Sequence, residues 1–331
     1  MIFAHRSGPC PQSGEPQLER RRLEPHEPVP EGTVWIDMVQ PTREEDHAAE
    51  HYLGISVPTR EEMDDIEPSE LLYTEEGGRY MTARLLCQAE TDEPALAGVT
   101  FILKDNRLVT VRYDEPRAFK MFIHRAARPA GCGTTGEAVL AGLVETIIDR
   151  AADVLQISGD RIDSLSRRVF DEQDDPSARN AQLQGTLRSL GRHGDLLSKQ
   201  RESLVSIERL LLYLTASYRA TRVPPELREE VRSTLRDLQS LEEHANFLSG
   251  KIQFLLDATL GLVNLEQNNI IKLFSVMAVV FMPPTLIASI YGMNFKRMPE
   301  LDFILGYPMA LVMMVVAAIL PYLFFRWKRW L

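Results

Sequence analysis

Two long runs of uncharged, mostly apolar residues lie near the C-terminal end of the chain. They extend from Leu273 to Phe295 and from Phe303 to Phe325, 23 residues each. Because a helix needs about 20 apolar residues to cross the hydrocarbon core of a bilayer, both runs predict membrane-spanning helices. One such run alone also fits a buried core helix, but two in succession favour a membrane hairpin.

Three helical patterns follow Gly136, and the last of them includes the first span: Glu137 to Phe170, Asn180 to Ser217, and Pro224 to Tyr291. The last would be about 100 Å long if unbroken, which is several bilayer thicknesses. It is therefore predicted to begin in a water-soluble region and to continue as the first span. Pro283 and Pro284 lie inside it and lack backbone N–H donors, so we expect a bend or local unwinding there.

Strand and helix signals alternate before Gly136. Four short runs predict strands: Thr33 to Asp37, Tyr80 to Gln88, Gly98 to Lys104, and Leu108 to Tyr113. The polar pair Asp105-Asn106 between the last two predicts a β-hairpin. Thr42 is the predicted N-cap of a helix with an acidic first turn. The predicted fold class is an α+β domain, with a mixed sheet and helices, followed by a long stalk helix and a two-helix transmembrane hairpin.

Residues 1–31 contain six prolines, an Arg20-Arg21-Arg22 run and few apolar side chains, so they predict a disordered tail. The predicted segments are 1–31, a disordered tail; 32–135, a cytosolic α/β domain; 136–222, a cytosolic helical segment; 223–272, a stalk helix; 273–291, the first, pore-lining span; 292–302, an external loop; 303–325, the second span; and 326–331, a basic cytosolic C-terminus.

The overall charge is that of an acidic soluble protein, with 37 Lys and Arg against 47 Asp and Glu and a net charge of -10. That average conceals the membrane end, because all 84 charges fall outside the two uncharged runs. Cys10, Cys87 and Cys132 are odd in number and far apart, which indicates neither a disulfide framework nor a zinc site.

The distribution of cations predicts the orientation in the membrane. Three cations follow the second span, at Arg326, Lys328 and Arg329, whereas Lys296 and Arg297 between the spans are balanced by two acids. By the positive-inside rule the C-terminus is cytosolic. With two spans and no N-terminal signal sequence, both termini are predicted to be cytosolic, in a plasma (inner) membrane of bacterial type.

Two spans per chain cannot enclose a water-filled path, so any transport function requires several copies. The first span carries one stripe of mostly polar or small residues. Its members are Asp257, Asn264, Asn268, Ile271, Ser275, Ala278, Met282, Thr285 and Ser289. A stripe at this helical spacing lines either a polar cavity or a tight contact between helices, and the pattern alone leaves both open.

The segment Tyr291-Gly292-Met293-Asn294-Phe295 resembles the signature of the CorA family of magnesium and cobalt transport channels. The resemblance continues in Met298-Pro299-Glu300-Leu301, Gly306-Tyr307-Pro308, Glu266-Gln267-Asn268, Phe281-Met282-Pro283 and Pro321-Tyr322. It is strong from about Leu255 to Leu331 and weaker back to Val34. Glu67-Pro68-Ser69, Leu72-Tyr73-Thr74-Glu75 and Tyr80 also resemble the soluble domain of this family.

The resemblance implies a homopentameric, funnel-shaped channel in the lipid bilayer that transports divalent cations, chiefly Mg²⁺ with Co²⁺ and Ni²⁺ as further candidates, and that uses no organic cofactor. It implies that Gly292, Met293 and Asn294 form the outer filter and that Asn268 and Asp257 face the pore. Ile271, Phe274 and Met282 correspond to apolar constriction positions, which can gate by dewetting.

The filter assignment agrees with the chemistry of the ion. Mg²⁺ dehydrates reluctantly, so a ring of Asn294 amide oxygens can bind its water shell without trapping the ion as carboxylates would. Gly292 would permit the backbone turn that presents them. An ordinary helix C-cap is the alternative for this motif alone. The cations Lys296 and Arg297 depart from the acidic residue that often follows in the family, and are expected to weaken cation attraction.

The acidic stretch from Asp37 to Glu76 has 13 acids and two arginines, which accounts for the net charge of the chain. It is either a solvated surface or a divalent-binding region. The resemblance implies that cytosolic Mg²⁺ bound between protomers holds the pore closed. The candidate ligands are Asp64, Asp65 and Glu67 of one protomer with Asp237 on a neighbouring stalk.

No arrangement typical of an enzyme is present in the sequence, and an acidic body argues against nucleic acid. Three classes of function remain. The first is a potential-driven Mg²⁺ channel gated by cytosolic Mg²⁺. The second is a zinc transporter of the related ZntB group, which usually departs from Gly-Met-Asn. The third is a membrane-anchored scaffold without conduction.

Overall fold

The computed structural model describes residues 1–9, 13–25, 27–65, 67–131, 133–171, 176–218, 223–293 and 305–328. Its strands are β1 (Ile2–Pro9), β2 (Pro16–Leu23), β3 (Thr33–Val39), β4 (Leu72–Glu75), β5 (Gly78–Cys87), β6 (Ala95–Lys104) and β7 (Arg107–Arg112). Its helices are α1 (Arg43–Leu53), α2 (Arg60–Met63), α3 (Pro68–Leu71), α4 (Arg117–Ala126), α5 (Gly136–Phe170), α6 (Pro176–Ser217), α7 (Pro225–Tyr291) and α8 (Gly306–Trp327).

The chain divides into two compact units. The first comprises Met1–Asp171 and Gly185–Leu256, and the second comprises Glu172–Gln184 and Asp257–Leu331. The predicted fold class is confirmed: a mixed sheet with helices is followed by a long helix and a C-terminal apolar helix.

The first unit is built around one seven-stranded sheet with the order β2-β1-β3-β7-β6-β5-β4. All neighbouring strands are antiparallel except β3 and β7, which are parallel. Alternate side chains enter different cores, as expected for the period of a strand. Trp35 and Phe101 pack with α4 and α5 on one face, whereas Ile36 and Ile102 pack with α1 and α2 on the other.

The predicted hairpin is present, since β6 and β7 pair antiparallel through Lys104 and Arg107. Asp105 and Asn106 between them have φ of 48° and 63°, the backbone conformation of a tight two-residue turn. The turn also contacts the first residue of α5, because the Gly136 N–H donates to the Asn106 carbonyl at 2.9 Å. A Cβ on Gly136 would lie 2.4 Å from the Arg107 carbonyl carbon, so only glycine allows this approach.

The prediction of a disordered tail at residues 1–31 is wrong. This region supplies β1 and β2, which form one edge of the sheet. The few apolar residues suffice because they alternate between both cores: Leu18 enters one, while Ile2, Ala4 and Leu23 enter the other. The prolines Pro9 and Pro16 lie at strand ends, and the exposed Arg20, Arg21 and Arg22 lie on the edge strand, where charge protects against further pairing.

A buried ion pair joins the two parallel strands at the centre of the sheet. Asp37 Oδ1 accepts hydrogen bonds from Arg112 Nε and Thr110 Oγ1, both at 2.9 Å, and Asp37 Oδ2 accepts from Arg112 Nη2 at 2.9 Å. The Arg112 guanidinium lies 4.7 Å from the centre of the Phe119 ring. Trp35 Nε1 donates to Thr110 Oγ1 at 2.9 Å, which completes a buried polar network.

Of the bend or local unwinding predicted at Pro283-Pro284, the unwinding is absent, because α7 is helical throughout Pro225–Tyr291. The two prolines leave the carbonyls of Val279 and Val280 without helical N–H partners. One turn on, Thr285 Oγ1 donates to the Phe281 carbonyl at 2.7 Å.

The buried pair predicts a large loss of stability in an Arg112→Met variant. This change leaves the Asp37 carboxylate buried without its partner, a loss of about 3–5 kcal/mol. Urea unfolding of the full chain in detergent, followed by circular dichroism, measures it. The control is Arg117→Met, which removes an exposed arginine paired with Glu90 and should change stability by less than about 1 kcal/mol. Equal losses in the two variants would contradict the role given to the pair.

His5 predicts an acid-sensitive sheet edge. Its ring stacks on Trp35 with centroids 4.0 Å apart, and burial, opposed in part by Asp37, lowers its pKa from 6.5 to about 4. Between these values only the unfolded chain takes up the proton, so His5 lowers stability as pH falls from 6.5 to 4. The loss between pH 7 and pH 5 is about 2 kcal/mol. His5→Phe should remove that dependence, whereas His124→Phe, at an exposed position, should retain it; identical pH profiles would refute the assignment.

Candidate functional site

The candidate ion pathway lies on α7. Along the first unit, α7 buries an apolar face through Val231, Leu238, Ala245, Ile252 and Leu255, mostly at intervals of seven. Beyond Leu255, no apolar side chain of α7 within residues 256–291 is buried. The helix therefore changes from a packed element to one whose apolar surface needs another cover.

Both predicted spans have apolar surface that is not buried. α7 and α8 are long and apolar enough to cross a membrane, and 0% and 6% of their most apolar windows are buried. A core helix of a soluble protein would be mostly buried, so this surface fits contact with lipid or with further copies.

The stripe predicted to line a pore lies on exposed helix surface. Asn264, Asn268, Ser275, Thr285 and Ser289 are all exposed in the single chain. Of the predicted constriction residues, Ile271, Phe274 and Met282 are 61%, 63% and 68% exposed. Asp257 is exposed as well. In the described part of the chain these residues all lie on one helix, where the polar side chains stand among exposed apolar ones.

The predicted outer filter is described only in part. Asn294, Lys296 and Arg297 lie outside the described residues. Gly292 ends α7 in a helical manner, with its N–H donating to the Ala288 carbonyl at 2.9 Å. A Cβ there would lie 3.1 Å from the same oxygen. This contact is tight but tolerable, and Gly292 does not adopt a left-handed backbone conformation. Met293 follows and is 48% exposed.

The predicted cytosolic ligands fall into two places in the chain. Asp64 ends α2, and Asp65 Oδ1 accepts from the Glu67 N–H at 3.0 Å. All three side chains are exposed. Asp65 also lines a cleft of about 320 Å³ that contains three arginines, Arg84, Arg201 and Arg209. Neighbouring guanidinium groups disfavour a dication, so this surrounding weakens Asp65 as a metal ligand.

Asp237 lies elsewhere, in an acidic cluster between α5 and α7. We define the acidic cluster as Glu145, Asp149, Asp153, Glu230 and Asp237. Burial first, and then the charges of Glu145, Asp153 and Asp237, raise the pKa of Asp149. Burial and Glu145 likewise raise the pKa of Glu230. Two cations offset part of this repulsion: Arg125 Nη2 lies 2.7 Å from Glu145 Oε2, and Arg150 Nη1 lies 3.8 Å from Asp153 Oδ2.

The acidic cluster was not predicted, apart from Asp237. Its signal in the sequence is an acid at every fourth position of α5, Glu145, Asp149 and Asp153, which places all three on one helix face. Among the described residues, no three His, Cys, Asp or Glu side chains are spaced to hold a metal ion. A cation here would therefore bind through water or with ligands from another chain.

Comparison with known proteins covers nearly the whole chain. The family described as "CorA-like Mg2+ transporter protein" matches residues 30–329. The magnesium transport protein CorA of Pasteurella multocida is 38% identical over 298 residues, which cover 90% of this chain and 92% of that protein.

Two solved structures share the fold. The complete structure of the CorA magnesium transporter from Methanocaldococcus jannaschii has a TM-score of 0.74 at 20% identity, and covers 100% of this chain and 99% of that one. The ZntB cytoplasmic domain from Vibrio parahaemolyticus has a TM-score of 0.55 at 12% identity, and covers 81% of this chain and 98% of that one. At these identities the likeness concerns the fold alone.

Proposed function

The chain belongs to the CorA family of Mg²⁺ transporters, and from that premise we propose that it forms a homopentameric, potential-driven Mg²⁺ channel that is closed by cytosolic Mg²⁺. As a member of this family it is a membrane transporter and not an enzyme. The observation that carries the proposal is the exposed polar stripe on α7, set in apolar surface that is mostly unburied within the described residues.

Several copies are needed to make a pathway from that stripe. In hydrocarbon, Asn264, Asn268 and the unpartnered carbonyls near Pro283-Pro284 would each be costly. If five such stripes face one axis, these polar groups can hydrogen-bond to water or to one another. The same arrangement brings Ile271, Phe274 and Met282 to the axis as apolar rings, which can close a hydrated pathway by dewetting. Asp257 would then place five carboxylates at its cytosolic side, with both chain termini in the cytosol of a bacterial-type cell.

Selectivity is assigned to the loop between the spans. Asn294, with Gly292 and Met293, would bind the water shell of the ion at the outer mouth. Entry needs no chemical energy, because the membrane potential supplies about 2.3 kcal/mol per elementary charge for each 100 mV. Mg²⁺ is favoured over Zn²⁺ by the 38% identical relative, which is named a magnesium transporter, whereas the likeness to the ZntB domain is distant. Co²⁺ and Ni²⁺ are further candidate ions.

Closure by cytosolic Mg²⁺ is assigned to the acidic cluster. Its carboxylates repel one another, and the raised pKa of Asp149 reports that repulsion together with its burial. A dication would relieve the repulsion, and carboxylate oxygens are ligands that suit Mg²⁺. Asp64 and Glu67 of a neighbouring protomer are candidate partners of Asp237. A state that binds the ion more tightly is populated as Mg²⁺ rises, which closes the pore if that state is the closed one.

Asn294→Ala predicts a loss of Mg²⁺ conduction. Purified protein in liposomes with a negative interior potential should lose at least about tenfold in Mg²⁺ influx, equivalent to roughly 1.4 kcal/mol on the barrier. Asn269→Ala, an exposed asparagine of α7 outside the stripe, should retain normal flux. Parallel assays with Zn²⁺, Co²⁺ and Ni²⁺, and with a proton gradient, separate a Mg²⁺ channel from a zinc transporter and from a scaffold. Unchanged flux in Asn294→Ala would remove the filter assignment.

Substitutions in the acidic cluster are expected to change the stability of the protein differently without and with Mg²⁺. In the absence of Mg²⁺, Asp149→Asn and Asp237→Asn remove repulsion, so the full chain in detergent should be at least as stable as the parent. At a Mg²⁺ concentration ten times the Kd, the parent should gain about 1.4 kcal/mol and the variants less. Asp160→Asn, at an exposed position of α5, is the control. Equal Mg²⁺ stabilisation in all four proteins would place the regulatory site elsewhere.

A further inference from the structure

The loop between β5 and β6, residues 88–94, carries acidic side chains that lie on a basic surface of three helices. Glu90 pairs with Arg117 of α4 and Arg150 of α5. Asp92 pairs with Arg192 of α6 at 2.8 Å, and Lys199 Nζ donates to the Pro94 carbonyl at 2.8 Å. The chain's own carboxylates therefore neutralise part of this basic surface.

A second part of that surface lies around Arg161 and next to Arg192, whose ion pair with Asp92 uses only part of its guanidinium. Beneath the loop lies a cleft of about 250 Å³, which we name the loop cleft; its lining includes Thr91, Arg161, Ser189, Arg192 and His193. Within the described parts of the chain, the Arg161 side chain makes no ion pair and no hydrogen bond. Ser189 Oγ donates to the Gly185 carbonyl at 3.0 Å, so its proton is in use.

The charges that line the loop cleft change the pKa of His193. Burial, followed by the positive charges of Arg161 and Arg192, lowers its pKa. The opposing charges that face the cleft are those of Glu90 and Asp92 on the loop, and each is already paired with arginine. The donors left for a ligand are the Arg161 guanidinium, the remaining N–H groups of Arg192, and the ring N–H of His193.

We propose that the loop cleft binds a phosphate-bearing small molecule through Arg161 and Arg192, with His193 as a third donor. Guanidinium groups match phosphate oxygens in geometry and charge and can bind them bidentately. The volume is that of about eight waters in the liquid, which leaves room for a phosphate group and its nearest attached atoms. Inorganic phosphate and the phosphates of a nucleotide share this chemistry. The proposal concerns the first unit and does not depend on ion conduction.

Calorimetric titration of the full chain in detergent tests the site. Inorganic phosphate and metal-free ATP are added separately at constant ionic strength, against a chloride baseline. Arg161→Gln should weaken binding at least about tenfold, the usual effect of losing a charge-assisted hydrogen bond. The control is Arg167→Gln, an exposed arginine on the same helix. Tighter binding of ATP than of phosphate identifies a nucleotide as the source, and equal affinities identify free phosphate.

A second readout separates binding in the loop cleft from general attraction to a basic surface. In protein labelled with ¹³C at the histidine rings, saturating phosphate should move the His193 pKa upward, because the anion offsets the two guanidinium charges. A His193→Gln variant assigns the resonance. The proposal is overturned if neither anion binds, if Arg161→Gln and Arg167→Gln lose affinity equally, or if saturating phosphate leaves the His193 titration unchanged.

Discussion

One helix, α7, must be stable both in water and in the lipid bilayer, and this constraint governs the rest of the molecule. The face of α7 up to Leu255 is buried in the first unit, whereas from Leu273 to Tyr291 no apolar side chain of this helix is buried among the residues that the structure describes. A helix cannot change its hydrogen-bonding pattern to suit each medium, so only its side chains change. The stripe containing Asn268 and Ser275 breaks the apolar surface on one side, and it is this interruption that makes conduction the best interpretation of the spans.

The fold was predictable where the decisive interactions are local. The β6–β7 hairpin follows from two adjacent strands and Asp105-Asn106, and α1 follows from Thr42, whose side chain accepts from the Glu45 N–H in a capping box. The hairpin of β1 and β2 was missed because its stability depends on a distant partner. Ile2 and Ala4 are too few to indicate a strand by themselves, and they become a strand because β1 also pairs with β3. The Asp37–Arg112 pair was equally hidden, since a separation of 75 residues gives no local signal.

The candidate site also has a part that local sequence indicates and a part that only the folded structure shows. The filter stays a prediction from a contiguous motif, and Asp237 as a metal ligand stays a prediction from a resemblance, whereas the acidic neighbours of Asp237 were not predicted. Asp149 has the spacing of an ordinary solvated helix face, and only the packing of α5 beside α7 shows that it shares a field with Asp237. Conversely, Asp65 belongs to an acidic stretch in the sequence, yet in the folded chain it lies in a cleft with Arg84, Arg201 and Arg209. Charge along a sequence is therefore a poor guide to charge in space.

The order of the strands also bears on how the protein is made. The central parallel pair, β3 with β7, can form only once Arg112 has been synthesised, and every strand of the sheet is then available. The first span begins at Leu273, 161 residues later. At about 5–20 residues per second the ribosome needs roughly 8–30 s to cover that distance, which is ample time for a sheet of this size to assemble. The sheet can therefore assemble before any hydrophobic span leaves the ribosome, so membrane insertion would begin with a formed sheet already attached.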